Sequence, residues 1–480
     1  MSMMTLAQAH AMLPGSGLLN ATPEAANSIL LARVGTDSRQ IDHGELFVAL
    51  SGERFDAHDF LNEVVSHGAS AAMISSVEKC PVNLPAICVS DTRVGLGDLA
   101  KAWRANHDIP LALVTGSNGK TTVKEMIASI FKATVGEEKT LVTKGNLNNE
   151  IGLPLTLLKL RSTDSLAVIE LGMNHPGETA QLAAIAQANI ALINNAQREH
   201  QEFMATVAAV AQEHADVIRS LPENGIAVFP ADSEFTSVWL EAAGKRKVID
   251  FELLTTQANS EAFVTGRLLS NGLLEVITKN QAIQVRLNTL GDHNARNALA
   301  ASAVAIAAGI PFEKIQQGLE LFAPVNGRMQ VRQINANYTL IDDSYNANPD
   351  SVRAAIDALK KSGTQAWLIL GDMGEVGNQG PEFHREVGAY AAQQGITKLF
   401  ALGDLCQFAI EGFDQVAKGN ASAQALYYKD IDALIEHLSA EIHAKNADSK
   451  TQLTILVKGS RFMRMERVVQ ALLEEAKTCS

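Results

Sequence analysis

The chain has 480 residues, of which 46% are apolar and 19% charged, the composition of a soluble globular protein rather than a fibrous, disordered or membrane-embedded one. Forty Lys and Arg against 53 Asp and Glu give a net charge of −13, which excludes the global basic field that gathers nucleic acid or anionic lipid. An anionic substrate must therefore be held by local cations. At about 150 residues per domain the length suggests three domains, and the succession of strands, loops and connectors along the chain divides it at 1–106, 107–325 and 326–480.

The segment Met1 to Leu13 lacks a basic start and a continuous apolar core, so no signal peptide is expected there. No apolar run approaches the ~18 residues of a membrane span. Cys80, Cys88, Cys406 and Cys479 form no C-x-x-C pair and no metal spacing, as in free thiols of a reducing cytoplasm. A cytoplasmic monomer is the expectation.

The first unit holds a short strand, Leu46 to Leu50, between loops dense in Asp, Ser, Arg and His. Such loops suit a polar ligand, although Asx-type turns have the same composition. Ala71 to Ile74 and Ala86 to Val89 continue a small α/β layer.

The second unit opens with the most informative stretch. Leu111 to Val114 read as a buried strand, Thr115-Gly116-Ser117-Asn118-Gly119-Lys120-Thr121-Thr122 as a glycine-rich turn, and Val123, Met126, Ile127, Ile130 and Phe131 as one face of the following helix. A strand–loop–helix of this kind turns several N–H groups and a helix N-terminus towards one spot, which suits a phosphate. Lys120 would supply charge to the outer phosphates of ATP and the Thr121 hydroxyl would hold Mg²⁺. The pattern G-x-x-x-x-G-K-[ST] wants Gly at 114, where Val114 stands; Gly116 gives a tighter loop.

Leu166 to Ile169 form the next strand and end in Glu170, on the sheet edge where open α/β sheets bind ligands. Glu170 there can hold Mg²⁺ or accept a structural hydrogen bond. Ile190 to Ile193 lead into Asn194-Asn195-Ala196-Gln197-Arg198-Glu199-His200, and His200 falls on the same edge as a metal or substrate ligand, or as a packing residue. Asn146, Asn148 and Asn149 lie in a loop that faces a ligand or forms an asparagine-rich turn. Around Phe263–Leu287 the pattern becomes alternating, with Asn271-Gly272 as a hairpin turn. Asn294 and Asn297 share a face at the start of an alanine-rich helix, placed to read a nucleobase edge or to cap the helix.

The third unit alternates strands (Tyr338–Ile341, Trp367–Leu370, Lys398–Leu402, Leu453–Val457) with helices, so a doubly wound sheet is expected. Polar loops follow three of these strands: Asp342 to Pro349, Gly371 to Glu375, and Lys458 to Arg461. Lys458 and Arg461 there suit a carboxylate or phosphate, or are simply solvated. A GTPase switch is not supported, because no Asn-Lys-x-Asp motif occurs.

Taken together, TGSNGKTT, TDSR, LFVALSGERFDAHDF, TKGNLNNEIG, VIELGMNH, NARNALAA, DDSYNAN, GDMGE and LVKGS resemble the motifs of the Mur ligase family, ATP-dependent enzymes that extend the peptide stem of bacterial cell-wall precursors. DDSYNAN with GNLNNEIG resembles the branch that adds a dipeptide, D-alanyl-D-alanine, to UDP-N-acetylmuramoyl-tripeptide. The resemblance implies a small N-terminal α/β domain for the uridine nucleotide, a central P-loop ATPase with a mostly parallel sheet, and a C-terminal Rossmann-like domain. It implies that Thr36, Ser38, Arg39, Asp56 and His58 hold the UDP-sugar. Gly116 to Thr122, Asn294, Asn297, Arg328 and Asp343 would contact ATP, with Asn294 and Asn297 near adenine. Lys120, Glu170 and His200 would be catalytic, with Thr121, Glu170 and His200 holding Mg²⁺. Tyr345, Asn346, Asn348, Lys458 and Arg461, with Asn146, Asn148 and Asn149, would meet the peptide substrates. Three departures stand out: the family's HLEGF reads His200-Gln201-Glu202-Phe203-Met204, a lysine that becomes carbamylated is replaced by His214 (with Gln212 where another lysine is usual), and Asp292 replaces an Arg.

Overall fold

The computed structural model describes residues 2–199, 201–204, 206–254, 260–335, 337–363, 365–446 and 452–478. Three larger sheets follow one another along the chain. The first has the strand order Gly17–Leu19, Ala86–Cys88, Ala71–Ile74, Glu45–Val48, Arg33–Gly35, parallel except for Gly17–Leu19.

The central sheet has nine strands in the order Ala282–Val285, Leu274–Ile277, Val264–Leu268, Lys247–Leu253, Ile226–Pro230, Ile190–Ile193, Leu111–Thr115, Leu166–Glu170, Thr140–Val142. Seven are parallel, and the two nearest one edge add an antiparallel meander whose first turn holds Gly272 at φ +80°. Parallel strands covered on both faces read as unbroken apolar runs, and Leu111–Thr115 is buried at every position. Its side chains alternate between two cores. Leu111 and Leu113 pack with Leu153, Leu182 and Phe229 on one face, while Ala112 and Val114 meet Val123, Ile127, Phe131 and Leu299 on the other.

The first core runs on into the N-terminal sheet. The helix Thr92–Arg104 carries Leu96 and Leu99 into it, together with Leu46 and Ile87. Asp91 caps that helix, its side chain accepting from Arg93 N (2.7 Å) and Val94 N (3.1 Å).

The third sheet runs Gln330–Gln333, Tyr338–Asp343, Leu453–Lys458, Gln365–Gly371, Lys398–Leu402, Gln424–Tyr428, with only the first strand antiparallel. Leu368 and Leu370 pack with Val352, Ile356 and Phe413 on one face, and Trp367 and Ile369 with Leu434, Leu438 and Val468 on the other. The sheet is therefore doubly wound. Strands at Ile226–Pro230, Lys247–Leu253 and Gln424–Tyr428, unforeseen in the sequence, complete the two parallel sheets.

Leu113 sits in the strand that carries the glycine-rich turn and is wholly buried. Leu113→Ala should cost about 2–5 kcal/mol, read as an earlier urea midpoint of the transition that includes the central sheet; an unchanged midpoint would contradict this packing.

Candidate active site

The strand Leu111–Thr115 lies between Ile190–Ile193 and Leu166–Glu170, so the loops after all three strands emerge at one edge. The helix Lys120–Val135 begins immediately after the glycine-rich loop. Two of its glycines are required by geometry. Gly116 has φ +134°, with the Asn194 and Asn195 backbone nitrogens 3.1 and 3.0 Å from where a Cβ would stand. Gly119 has φ +80°, and a Cβ there would lie 2.7 Å from both Asn194 Nδ2 and Asn297 Oδ1.

Those asparagines brace the loop. Asn118 N donates to Asn195 Oδ1 (2.8 Å), and the Asn194 and Asn195 amides both donate to Asn118 O (2.8 and 2.9 Å). Asn194 also donates to Asn297 Oδ1 (2.9 Å), and Ser117 Oγ accepts from Gln197 N (2.9 Å). Lys120 Nζ folds over its own loop, donating to Gly116 O (2.6 Å) and Ser117 O (3.3 Å) and pairing with Glu199 Oε2 (3.2 Å).

Thr121 Oγ1 donates to Glu170 Oε1 (3.1 Å), which also accepts from Asn148 Nδ2 (2.8 Å). Glu170 N is held by Thr143 Oγ1 (2.9 Å). The other carboxylate oxygen, Glu170 Oε2, is buried and has no partner among the described residues. A buried anionic oxygen left unpaired is costly, and one beside a threonine hydroxyl at a phosphate-type loop fits a hard divalent cation.

Facing this edge across a cavity of about 910 Å³ is the corresponding edge of the third sheet. Lys458 Nζ pairs with Asp343 Oδ2 (2.5 Å) and donates to Asn346 O (2.9 Å), and Asp343 Oδ1 accepts from Met329 N (3.1 Å). The Tyr345 ring stands near two guanidiniums, Arg328 at 4.3 Å and Arg461 at 5.8 Å from its centroid. Asn348 Nδ2 donates to Asn118 Oδ1 (2.9 Å), so the third unit touches the glycine-rich loop directly.

Arg198 makes the stronger bridge. It binds Asp350 (2.6 Å) and Glu386 (2.7 Å), with its guanidinium 5.2 Å from the Phe383 ring centroid. The Glu386 hydrogen bond raises the Arg198 pKa, and Arg198 in turn lowers that of Glu386. Asp292 adds a surface link to Lys361 (2.7 Å).

The cavity lining brings together Ser117 to Thr122, Asn146, Asn148, Asn149, Glu170, Asn294, Asn297, Arg328, Asp343, Tyr345, Asn346, Asn348, Lys458 and Arg461. Gly116 is not among the lining residues, and His200 lies outside the described residues. Thr36, Ser38, Arg39, Asp56 and His58 do not line it; they belong to the loops of the first sheet. There Arg39 pairs with Asp37 (2.8 Å), and Asp56 lies between Lys79 (2.8 Å) and His58 (2.6 Å). Burial works to raise the Asp56 pKa, but hydrogen bonds from Lys79, His58 and Ser51 hold it far below the usual range.

Several expected ligand groups are already engaged within the protein. His58 is buried, its Nδ1 on Asp56 and its Nε2 accepting from Ser75 N (2.9 Å), so it holds the loop. Lys458 is committed to Asp343. The Asn294 amide donates to Thr289 Oγ1 and Leu290 O (both 2.8 Å) and Asn297 Nδ2 to Asn294 Oδ1 (3.1 Å), so the pair does not cap the helix, and Asn297 props the loop through Asn194. His214 is wholly buried between Thr115 Oγ1 (3.3 Å) and Glu199 Oε1 (3.0 Å). Asn194, Asn195, Arg198 and Glu199 escaped assignment from sequence, although two asparagines directly after a buried strand at this edge were a signal.

Asp372, His384 and Cys406 form the one group of metal-ligand types found among the described residues. His384 donates Nδ1–H to Gly380 O (2.7 Å) and accepts Met373 N–H at Nε2 (3.0 Å), while Asp372 accepts from Cys406 N (2.8 Å) and Leu405 N (3.2 Å). With the imidazole lone pair engaged, the cluster reads as a brace for the loop Gly371 to Glu375. Burial lowers the His384 pKa and raises the Cys406 thiol well above its ordinary range.

A family model described as the Mur ligase middle domain matches residues 114–305, and one described as the Mur ligase glutamate ligase domain matches residues 327–461. The UDP-N-acetylmuramoyl-tripeptide–D-alanyl-D-alanine ligase of Escherichia coli strain K12 is 39% identical over 466 residues, covering 96% of this chain and 98% of that one. A crystal structure of MurF from Acinetobacter baumannii superposes with a TM-score of 0.86 at 31% identity, covering 98% of this chain and 99% of the other. MurF ligase from Thermotoga maritima in complex with ADP gives 0.79 at 25% identity, with 93% and 98% covered.

Two outcomes follow from the geometry. Arg198→Ala should weaken the docking of the third unit by about 1–3 kcal/mol, seen as a larger radius of gyration in small-angle scattering; an identical scattering curve would contradict the clamp. The neutral His384 ring accepts a backbone N–H that protonation would expel. Its folded pKa lies below the unfolded value of about 6.5, so its contribution is present above that pH and lost as pH falls. The melting-temperature gap between wild type and His384→Leu should be widest near neutral pH and narrow towards about pH 5.5; a constant gap would contradict it.

Proposed function

The chain belongs to the Mur ligase family, and from that premise we propose that it joins D-alanyl-D-alanine to UDP-N-acetylmuramoyl-tripeptide, with ATP as phosphoryl donor and ADP and phosphate as products. The observation that carries the reading is the phosphate-type loop, with Lys120, Thr121 and Glu170, facing Arg328, Tyr345 and Arg461 of the third unit across one cavity. The sequence similarity along 96% of the chain to an enzyme of that name supports the choice of acceptor and dipeptide.

A carboxylate does not condense with an amine in water, because its oxygen is a poor leaving group. The stem carboxylate attacks the γ-phosphorus of ATP, the bond to the β-phosphate oxygen breaks, and an acyl phosphate and ADP result. The dipeptide amine, of pKa about 8 as an α-amino group, must be neutral to attack the acyl carbon. Phosphate then leaves from the tetrahedral intermediate as the peptide bond forms and the nitrogen loses a proton.

The first step joins two anions in a protein of net charge −13. Local cations must offset that repulsion. Lys120 can turn from its loop carbonyls to the outer phosphates, and backbone N–H groups at the start of the helix Lys120–Val135 face the same spot. Thr121 and Glu170 would hold Mg²⁺, which when bound screens the phosphate oxygens. Arg328 would reach a phosphate of ATP, and Arg461, on the other side of Tyr345, would hold an anionic end of a peptide substrate. Residues 1–106 would bind the uridine nucleotide through Thr36, Ser38 and Arg39, with Asp56 and His58 as the frame of that loop. The third unit, which touches the phosphate loop through Asn348 and Asn118, would exclude water that hydrolyses the acyl phosphate.

The deciding assay measures phosphate release with ATP and UDP-N-acetylmuramoyl-tripeptide, with and without D-alanyl-D-alanine. Release that depends on the dipeptide, with pentapeptide detected by mass spectrometry, is expected; dipeptide-independent release with no pentapeptide would sink the ligase reading. Lys120→Ala should lower kcat about 10²–10³-fold, the scale of one lost electrostatic contact in a transition state, with the melting curve retained. Wild-type turnover in that variant would remove Lys120 from the mechanism.

A further inference from the structure

Lys120 has three ammonium protons and three acceptors within the protein: Gly116 O, Ser117 O and Glu199 Oε2. Two are neutral carbonyls of its own loop. The third is a carboxylate brought in by the loop after Ile190–Ile193, and it is only 6% exposed. Its other oxygen, Oε1, lies 3.0 Å from Nε2 of His214, the last residue of the helix Val207–His214 and completely buried. A carboxylate has no proton to give, so His214 Nε2 carries the hydrogen. In the neutral ring Nδ1 then accepts the hydroxyl of Thr115, 3.3 Å away at the end of the strand that enters the loop. A chain of four side chains from four separate elements thus runs Thr115–His214–Glu199–Lys120.

A buried His–Glu contact is often no more than a structural pin. This one ends on the cation of the cavity, and both Lys120 and Glu199 line the cavity wall. We propose that Glu199 is a positioning residue for Lys120, holding its ammonium against the loop carbonyls until a phosphate displaces it, and that His214 fixes Glu199 for this task. An incoming phosphate is then the second anion competing for one ammonium, and it must displace Glu199 to obtain a direct contact. The inference rests on the nucleotide reading of the loop.

The sign of the effect separates this arrangement from a pin. Loosening a pin weakens ligand binding, whereas removing a competing anion strengthens it. The measurement is ADP affinity by titration calorimetry on the full chain. Glu199→Gln, close to isosteric, should bind ADP about fivefold or more tightly than wild type, an interaction of ordinary size for neighbouring charges. His214→Leu should shift affinity in the same direction and add nothing to Glu199→Gln, while His214→Gln, which keeps a donor near Nε2, should bind as wild type does. In a Lys120→Ala background the gain from Glu199→Gln should vanish.

Unchanged or weaker ADP binding by Glu199→Gln would overturn the proposal, as would a full gain persisting without Lys120, since the carboxylate would then act on the phosphate directly. If His214→Leu fails to fold, the Glu199 and Lys120 variants decide the first half and His214→Gln the second. A wild-type chain with no measurable affinity for ADP would overturn the nucleotide reading and this inference with it, whereas wild-type binding with no gain in Glu199→Gln removes the inference alone.

Discussion

The arrangement of the whole site depends on the carbonyl oxygen of Asn118 being held by two amides. Asn194 and Asn195 both donate to it, and Asn195 also accepts the Asn118 N–H. A glycine-rich loop left alone has many conformations of similar energy, and a phosphate binding to it would have to supply the ordering. Here neighbouring strand ends order it in advance, because parallel pairing puts Ile193 beside Thr115 and delivers the two asparagines to the turn. Preorganisation of this kind moves the entropic cost from binding to folding.

The second feature is electrostatic economy in an acidic protein. Among the described residues, five of the Lys and Arg lining the cavity are ion-paired: Lys120 on Glu199, Lys458 on Asp343, Arg198 on Asp350 and Glu386, Arg296 on Asp232 (2.5 Å), and Arg461 on Glu466 (3.0 Å) and beside Tyr345. Arg328 is placed differently, facing the Tyr345 ring from inside the cavity. Positive charge is divided between groups that hold the units together and groups that face the empty space. Lys458 lines the cavity but pairs inside the third unit, with Asp343 and the Asn346 carbonyl.

Much of this was legible in the sequence, for a physical reason. Strands buried on both faces must be apolar throughout, so Leu111–Val114, Leu166–Ile169 and Ile190–Ile193 stood out, and the polar residues following them marked the edge. Lys247–Leu253 escaped because its burial alternates and it carries Asp250 and Glu252, while Ile226–Pro230 ends in a residue that argues against a strand. Side-chain roles were less legible. Residue type says how many donors and acceptors a group has, but not which are already engaged. His58, Asn294, Asn297 and Lys458 were candidates for ligand contacts, and sequence did not show the partners that each also has within the protein. Thr121 and Glu170 are a different case: the glycine-rich turn marked one and the strand end the other, the two side chains meet, and one Glu170 carboxylate oxygen is left without a partner among the described residues.

The tripeptide Gln197-Arg198-Glu199 has one more consequence. Gln197 receives the Asn118 side-chain amide at 2.7 Å, Arg198 reaches out to the third unit, and Glu199 turns back to Lys120. Three consecutive residues thus serve three different places. Their assignment follows from counting along the backbone from Asn195, which is fixed to the glycine-rich loop. What this segment must keep is therefore its length: a change of side chain alters one contact, whereas inserting or deleting one residue between Asn195 and Gln197 would turn all three side chains to the wrong neighbours at once.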